Sequence, residues 1–282
     1  MTGPDVPRGL AQVALYGTQD LAERKRWYSS VAQQYHQARP RYPQWVIEQV
    51  VQHTGLGRDS RVLEVGCGPG TATLAFAPLG CRLVCLEPST ATFELARQNC
   101  AAFEKVEFIN CAFEEWPVEA EGFDAVLAAT SFHWVPASAS YPKAAAALKP
   151  DGHLILLWNK GLYPSQADYP SLAVAYQEIA PHLDNYEDEP TQLGILNQLG
   201  QPILDSGLFE NLQSGHVKTD VVYTTETYLM LLGTYSPYLK LAADIKASLF
   251  ARLAEIIDRS FGGELSLSYI TAYQIAQKTA HP

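Results

Sequence analysis

Several absences narrow the possibilities before any motif is read. The five cysteines, Cys67, Cys81, Cys85, Cys100 and Cys111, form no C-x-x-C pair and sit near no histidine cluster. That removes the usual zinc spacings, so no metal site is expected and the thiols read as reduced and buried. Basic charge is in deficit, with 20 Lys and Arg against 30 Asp and Glu and a formal net charge of -10. Such a chain repels a phosphate backbone on average, so nucleic acid is not an expected partner. Long apolar runs are missing too. The N-terminal stretch is broken by Asp5, Arg8, Gln12 and Asp20, which fits neither a signal peptide nor a membrane span, and a cytoplasmic location is the default expectation. There is no internal repeat and no low-complexity tract.

What is present is the material of a packed core: 47% apolar and 18% charged residues over 282 positions. This is an ordinary globular balance. The chain divides into three parts on its patterning. Residues 1–57 read as an N-terminal helical cap, with aromatic and basic residues mixed from Arg24 through Tyr42 and a helix opening at Pro43. Residues 58–160 read as a nucleotide-type core. Residues 161–282 read as a C-terminal part of helices plus the last two strands of the sheet.

Within the core, strands alternate with helices. Apolar runs at 61–65, 82–86, 106–109, 123–128 and 153–158 are separated by helical stretches at 71–79, 89–101 and 141–148. This order predicts an α/β fold with a doubly wound, Rossmann-like, mostly parallel sheet. Beyond Asn159 the rhythm changes. Helices are expected over 170–181, 193–204, 228–235 and 243–261, with strands at 217–224 and 265–270, the latter closing a seven-stranded sheet. The acidic stretch from Asp184 to Glu189 reads as a solvated loop.

The chemistry concentrates at the end of the first strand. It stops at Gly66-Cys67-Gly68-Pro69-Gly70 and passes straight into a helix, an arrangement that lets backbone N–H groups approach a ligand. About twenty residues later Glu87 ends the second strand, where a carboxylate can accept hydrogen bonds from both hydroxyls of an adenosine ribose. Together they point to an adenosine-containing ligand. A dinucleotide fingerprint wants a third glycine where this chain has Thr71. Glu64, two residues before the first glycine, would repel a pyrophosphate and suits an ammonium group, which S-adenosylmethionine carries.

The segment Val62-Leu63-Glu64-Val65-Gly66-Cys67-Gly68-Pro69-Gly70 resembles motif I of the class I S-adenosylmethionine-dependent methyltransferases. The resemblance continues through Glu87, Ala112-Phe113-Glu114-Glu115-Trp116-Pro117, Phe123-Asp124-Ala125-Val126 and Leu148-Lys149-Pro150-Asp151-Gly152. Tyr35, Arg39-Pro40-Arg41-Tyr42-Pro43 and Ser131-Phe132-His133-Trp134 are similar to a small-molecule subgroup of trans-aconitate type. The likeness implies S-adenosylmethionine as cofactor and a small-molecule acceptor. It implies that the backbone from Gly66 to Gly70 faces the methionine part, Glu87 the ribose, Phe113 the adenine ring with Ala112 beside it, and Glu114 the adenine edge. Glu64 would act through the loop or water. Thr130 and Ser131 would lie where cofactor and acceptor meet.

The remaining candidates are weighed on their chemistry. His133 is the candidate base, since imidazole titrates near neutrality, although a structural histidine beside Trp134 is the favoured reading of the two. Arg39 would neutralise a carboxylate of cofactor or acceptor, and Tyr28 and Tyr35 would form a lid. Trp116, Trp158 and Cys67 read as packing residues. Two other classes of function stay open at this stage, a nicotinamide-dependent oxidoreductase and a non-catalytic module that binds S-adenosylmethionine.

Overall fold

The computed structural model describes residues 20–26 and 29–280. Tyr28, Asp5, Arg8 and Gln12 lie outside the described residues. The described residues begin with helices α1 (Leu21–Arg26), α2 (Ala32–Ala38) and α3 (Gln44–Thr54). Pro43 stands at the cap of α3 with φ -60°, and Gly55 ends it in the left-handed region, the placement that a fixed φ and a missing Cβ favour.

The core follows as β1 (Arg61–Val65), α4 (Thr71–Phe76), β2 (Arg82–Leu86), α5 (Thr90–Asn99), β3 (Val106–Ile109), β4 (Phe123–Ala129), α6 (Ala137–Ala147) and β5 (Leu148–Pro164). After it come α7 (Tyr169–Ile179), α8 (Glu189–Gln198), α9 (Gln201–Asp205), β6 (Phe209–Thr224), α10 (Thr225–Gly233), α11 (Ser236–Leu239), α12 (Ala243–Phe261) and β7 (Glu264–Lys278). Three of these helices begin on side-chain caps. Ser89 caps α5, Asp188 caps α8 and Thr224 caps α10, each accepting from a backbone amide three residues on.

All seven strands form one sheet in the order β3-β2-β1-β4-β5-β7-β6. The first five pair in parallel, while β7 runs antiparallel to both β5 and β6. The sheet is thus mostly parallel, as the alternation of elements predicted. One expectation is corrected: β7 does not close the sheet but lies between β5 and β6, which leaves β6 on the edge. Antiparallel pairing lets β6 and β7 join through the intervening helices without a right-handed crossover.

The acidic stretch is a loop from Asp184 to Asp188, as expected, and departs from a solvated one at Glu187. Glu187 is 7% exposed and pairs with Lys160. Asp184 accepts from Tyr169 and Gln177, Asp188 caps α8 and Glu189 pairs with Lys218. Asp188 and Glu189 stay exposed, whereas Glu187 is drawn out of solvent by Lys160 of β5.

Strand periodicity explains the packing. Leu63 and Val65 of β1 point to one face with Val84, Leu86, Val126 and Trp158, while Val62 packs on the other with Leu83, Cys85 and Leu127. A third cluster gathers Ala38 of α2, Leu162 and the helices α7, α10 and α12. Burying a residue such as Phe123, fully excluded from solvent, contributes about 1.5–3 kcal/mol. Among the described residues, no helix is long and apolar enough to cross a membrane.

Candidate active site

The strand order reverses between β1 and β4, because the chain builds outward through β2 and β3 and then returns. In an open α/β sheet the crevice at that switch, beyond the carboxyl ends of the strands, is where ligands bind. A cavity lies there. Its walls come from Gly66 and Gly68 after β1, Glu87 after β2, Ala112, Phe113 and Glu114 after β3, and Thr130 and Ser131 after β4. Asn159, Lys160 and Leu162 of β5, Arg39 and Tyr42 of the N-terminal segment, and Tyr235 complete it.

The glycine turn has the conformations its residues allow. Gly66, Gly68 and Gly70 all have positive φ, at 64°, 57° and 86°, a region that costs other residues about 1–2 kcal/mol. A Cβ on Gly66 would stand 2.9 Å from the Ser131 side chain, whereas one on Gly68 would meet no atom within 4 Å. Gly68 therefore borders open space in the cavity. Glu87 braces this turn: one carboxylate oxygen accepts from the Gly68 amide at 3.0 Å and the other from the Ser89 amide at 2.9 Å. Burial pushes the Glu87 carboxyl up to about 7, partly offset by those two amides.

Glu64 occupies a different place from the loop itself. It lies behind the glycine turn and does not line the cavity. Fully buried, it accepts from the Thr73 hydroxyl at 2.6 Å and the Cys85 thiol at 3.5 Å. Its Oε1 finds no donor among the described residues. Desolvation raises its carboxyl to about 7.

On the side formed by the segment after β3, Phe113 is 3% exposed and stacks on Trp116 at 6.3 Å between centroids. Lys143 donates to the Glu114 carbonyl at 2.7 Å, which steadies the backbone there. On the opposite side Arg39 joins the N-terminal segment to the C-terminal helices. Its guanidinium lies over the rings of Tyr35 at 4.7 Å and Tyr235 at 3.9 Å and donates to the Thr234 hydroxyl and carbonyl at 2.8 and 3.0 Å.

Thr130 is the strained residue of the site, with φ 55°. Its conformation is held by the Tyr42 hydroxyl at 3.1 Å and the Asn159 amide at 3.3 Å, and Ser131 donates to the Val65 carbonyl. Asn159 in turn donates to the Pro40 carbonyl and accepts from Thr271. Burial pushes the Tyr42 phenol far above its ordinary value, so it serves as a neutral hydrogen-bonding group.

His133, the candidate base, is not part of the cavity wall. Its ring packs between Trp134 and Trp158, each 5.6 Å away, and desolvation lowers its pKa to about 4. Tyr35, Arg39, Thr130, Ser131, Glu87, Ala112, Phe113, Glu114, Gly66 and Gly68 are brought together, while Glu64 and His133 stand off the wall and Gly70, at the start of α4, faces Cys100 and Ala96 instead. Asn159, Lys160, Leu162 and Tyr235 were not singled out from the sequence. The first two directly follow the apolar run at 153–158, and a search of strand ends would have flagged them.

Residues 62–152, which contain the glycine turn, Glu87 and the strands that frame the cavity, match the family model described as a methyltransferase domain. Over 132 residues the chain is 30% identical to an uncharacterized methyltransferase of Mycobacterium tuberculosis, covering 47% of this chain and 51% of that protein. It is 34% identical over 105 residues to a trans-aconitate 2-methyltransferase of Paracidovorax citrulli, covering 36% and 39% of the two chains. The chain thus spans about half the length of the first curated relatives it matches. Among solved structures, a candidate type II methyltransferase from Anaeromyxobacter dehalogenans superposes with a TM-score of 0.64 at 17% identity, over 85% of this chain and 97% of that one. A phosphoethanolamine N-methyltransferase of Haemonchus contortus, solved with S-adenosylhomocysteine, gives a TM-score of 0.52 at 15% identity, over 92% and 59%. These two likenesses concern the fold.

Proposed function

We propose that this chain transfers a methyl group from S-adenosylmethionine to a small-molecule acceptor, and that the cofactor occupies the cavity at the β1–β4 switch. The observation that carries the reading is the pairing of Glu87 with the Gly68 amide beside open space at Gly68. A carboxylate held there, with free lone pairs on both oxygens, fits two ribose hydroxyls, and the exposed turn fits the close approach of the methionine part. The oxidoreductase alternative is less well served, since Thr71 stands where a pyrophosphate site needs glycine.

In this reading Glu87 orients the ribose and Phe113, Ala112 and Glu114 enclose the adenine. Arg39, preorganised by two rings and Thr234, holds the methionine carboxylate. When bound, the cofactor supplies an electrophilic methyl on a positively charged sulfur. The chain's own part is to align the acceptor for in-line attack beside Thr130 and Ser131 and to keep water out. His133 is a structural neighbour of the site in this reading. Partners are confined to small molecules, with no nucleic acid, and the location is cytoplasmic.

Calorimetric titration with S-adenosylmethionine, S-adenosylhomocysteine and NADH, on the wild type and on Glu87→Ala, tests the proposal. Binding of the first two that the variant loses supports it. Binding of NADH alone overturns it.

A further inference from the structure

β6 forms an outer edge of the sheet, bonded to β7 on one side only, and none of its residues lines the cavity. From Gln213 to Thr224 its pairing with β7 is regular, the register shift being confined to the stretch between Glu210 and Gln213. Among the described residues, no backbone hydrogen bond outside that ladder reaches the run from Gln213 to Tyr223. Alternate N–H and C=O groups therefore face outward along it, a ready template for another strand. Folded proteins blunt such an edge with proline, a bulge or charge. Between Gln213 and Thr224 there is neither proline nor bulge, which leaves two charges, Lys218 and Asp220.

These charges are placed to favour one partner. His216, Lys218, Asp220 and Val222 alternate on the more exposed face of β6, and Val222 is 63% exposed. Lys218 has Glu189 at 2.9 Å, a contact that leaves further donors on its ammonium. Two antiparallel copies of β6 related by a two-fold axis at Thr219 oppose Lys218 of each copy to Asp220 of the other, and Val217 to Val221. An axis at Lys218 or Asp220 would oppose like charges, and one at Val217 or Val221 would oppose neither charge to its opposite. Opposite charges directly across a strand pair stabilise it and like charges destabilise it, so the sequence of the edge selects the register centred on Thr219.

We propose that β6 is a dimer interface, at which a second copy of this chain adds its own β6 antiparallel across Thr219 and continues the sheet. This goes beyond the methyltransferase reading and does not depend on it; it adds a second copy of the chain to the small molecules named above. The interface is isologous, the same strand serving both copies. The backbone ladder supplies affinity, the two Lys218–Asp220 pairs fix the register, and Val222 of each copy is covered by His216 of the other.

Sedimentation equilibrium of the full chain tests this, and should give twice the 31.0 kDa of one copy. Lys218→Asp and Asp220→Lys should each weaken association by roughly tenfold or more, since either change opposes like charges at both pairs. An equimolar mixture of the two variants restores opposite charges at both pairs and should recover the dimer, which also shows that both variants fold. Amide hydrogen exchange between Gly215 and Tyr223 should be slower in the wild type and in the mixture than in either variant alone. A monomeric wild type, a dimer that neither variant weakens, or variants whose mixture stays monomeric overturns the proposal. A monomer whose β6 amides are already protected places another segment on the edge and overturns it as well.

Discussion

Glu87 at the tip of β2 holds the Gly68 amide of the turn after β1, 3.0 Å across the floor of the cavity, so a ligand that bonds this carboxylate also meets a turn that the same carboxylate has fixed. Proton linkage follows. The Glu87 carboxyl sits at about 7 without ligand, and ribose hydroxyls donate best to the ionised form. S-adenosylhomocysteine affinity is therefore expected to rise as pH increases from 6 to 8, with proton release on binding. Calorimetry in buffers of different ionisation enthalpy checks both. In Glu87→Gln the pH dependence should vanish along with most of the affinity, a loss of roughly 10- to 100-fold for one charged hydrogen-bonding group.

The first two glycines of the turn separate binding from folding. At Gly68 an added methyl meets no atom within 4 Å, so Gly68→Ala should cost only the left-handed strain of about 1–2 kcal/mol. That methyl projects into the space the ligand needs, and cofactor binding should fall much more than stability does. At Gly66 the same change strikes Ser131 at 2.9 Å, adding a steric term that makes Gly66→Ala the less stable variant. Urea denaturation alongside titration distinguishes the pair. Equal destabilisation with equal loss of binding would contradict this assignment.

Glu64 and Glu87 both lie buried with carboxyls raised to about 7. A group whose folded pKa exceeds its unfolded value, here near 4.3, stabilises most below the unfolded value and loses that contribution as pH rises toward the folded one. His133, depressed to about 4, acts oppositely below about 6.5. Stability of the ligand-free protein should thus increase only slightly as pH falls from 8 to 7 and more steeply below 7, where His133 offsets part of the gain from the two carboxyls. Glu64→Gln should flatten the slope and stabilise the protein at pH 8, as thermal melts across pH would show. A steeper slope in the variant would count against a protonated Glu64.

How much of this was legible beforehand depended on whether a signal was local. The β1–Gly66–α4 unit and Glu87 were readable because turn glycines and apolar runs adjoin in sequence. Residues 209–216 were not read as strand because Glu210, Asn211, Gln213 and Ser214 carry no alternation; long antiparallel pairing with β7 makes them one. The seventh strand's interior place was likewise hidden, since sheet order follows from contacts between distant elements. Lys160 and Glu187 lie far apart in the sequence, and only the fold makes the pair visible.

Arg39 offers a test of how the N-terminal segment is fastened. Stacking on Tyr35 and Tyr235 and two bonds to Thr234 use the planar fork of the guanidinium, which lysine cannot reproduce. Arg39→Lys should destabilise by about 1–3 kcal/mol and weaken cofactor binding as well. If both melting temperature and affinity match the wild type, the residue neither fastens the segment nor serves the ligand.

The role of His133 is decided by its surroundings. A general base has to reach the proton it removes, directly or through one water. The ring of His133 is instead packed between Trp134 and Trp158 and is kept neutral by desolvation. His133→Phe preserves the aromatic packing and removes the titrating group. With an acceptor in hand, its methyl-transfer rate should stay within a few-fold of the wild type, and the pH–rate profile should keep its shape. A fall of about 100-fold or more, the lower end of what a general base contributes, with S-adenosylhomocysteine affinity intact, would restore His133 as the base. It would also require that the ring swings toward the cavity when ligands bind, a movement that quenching of Trp134 fluorescence on titration would report.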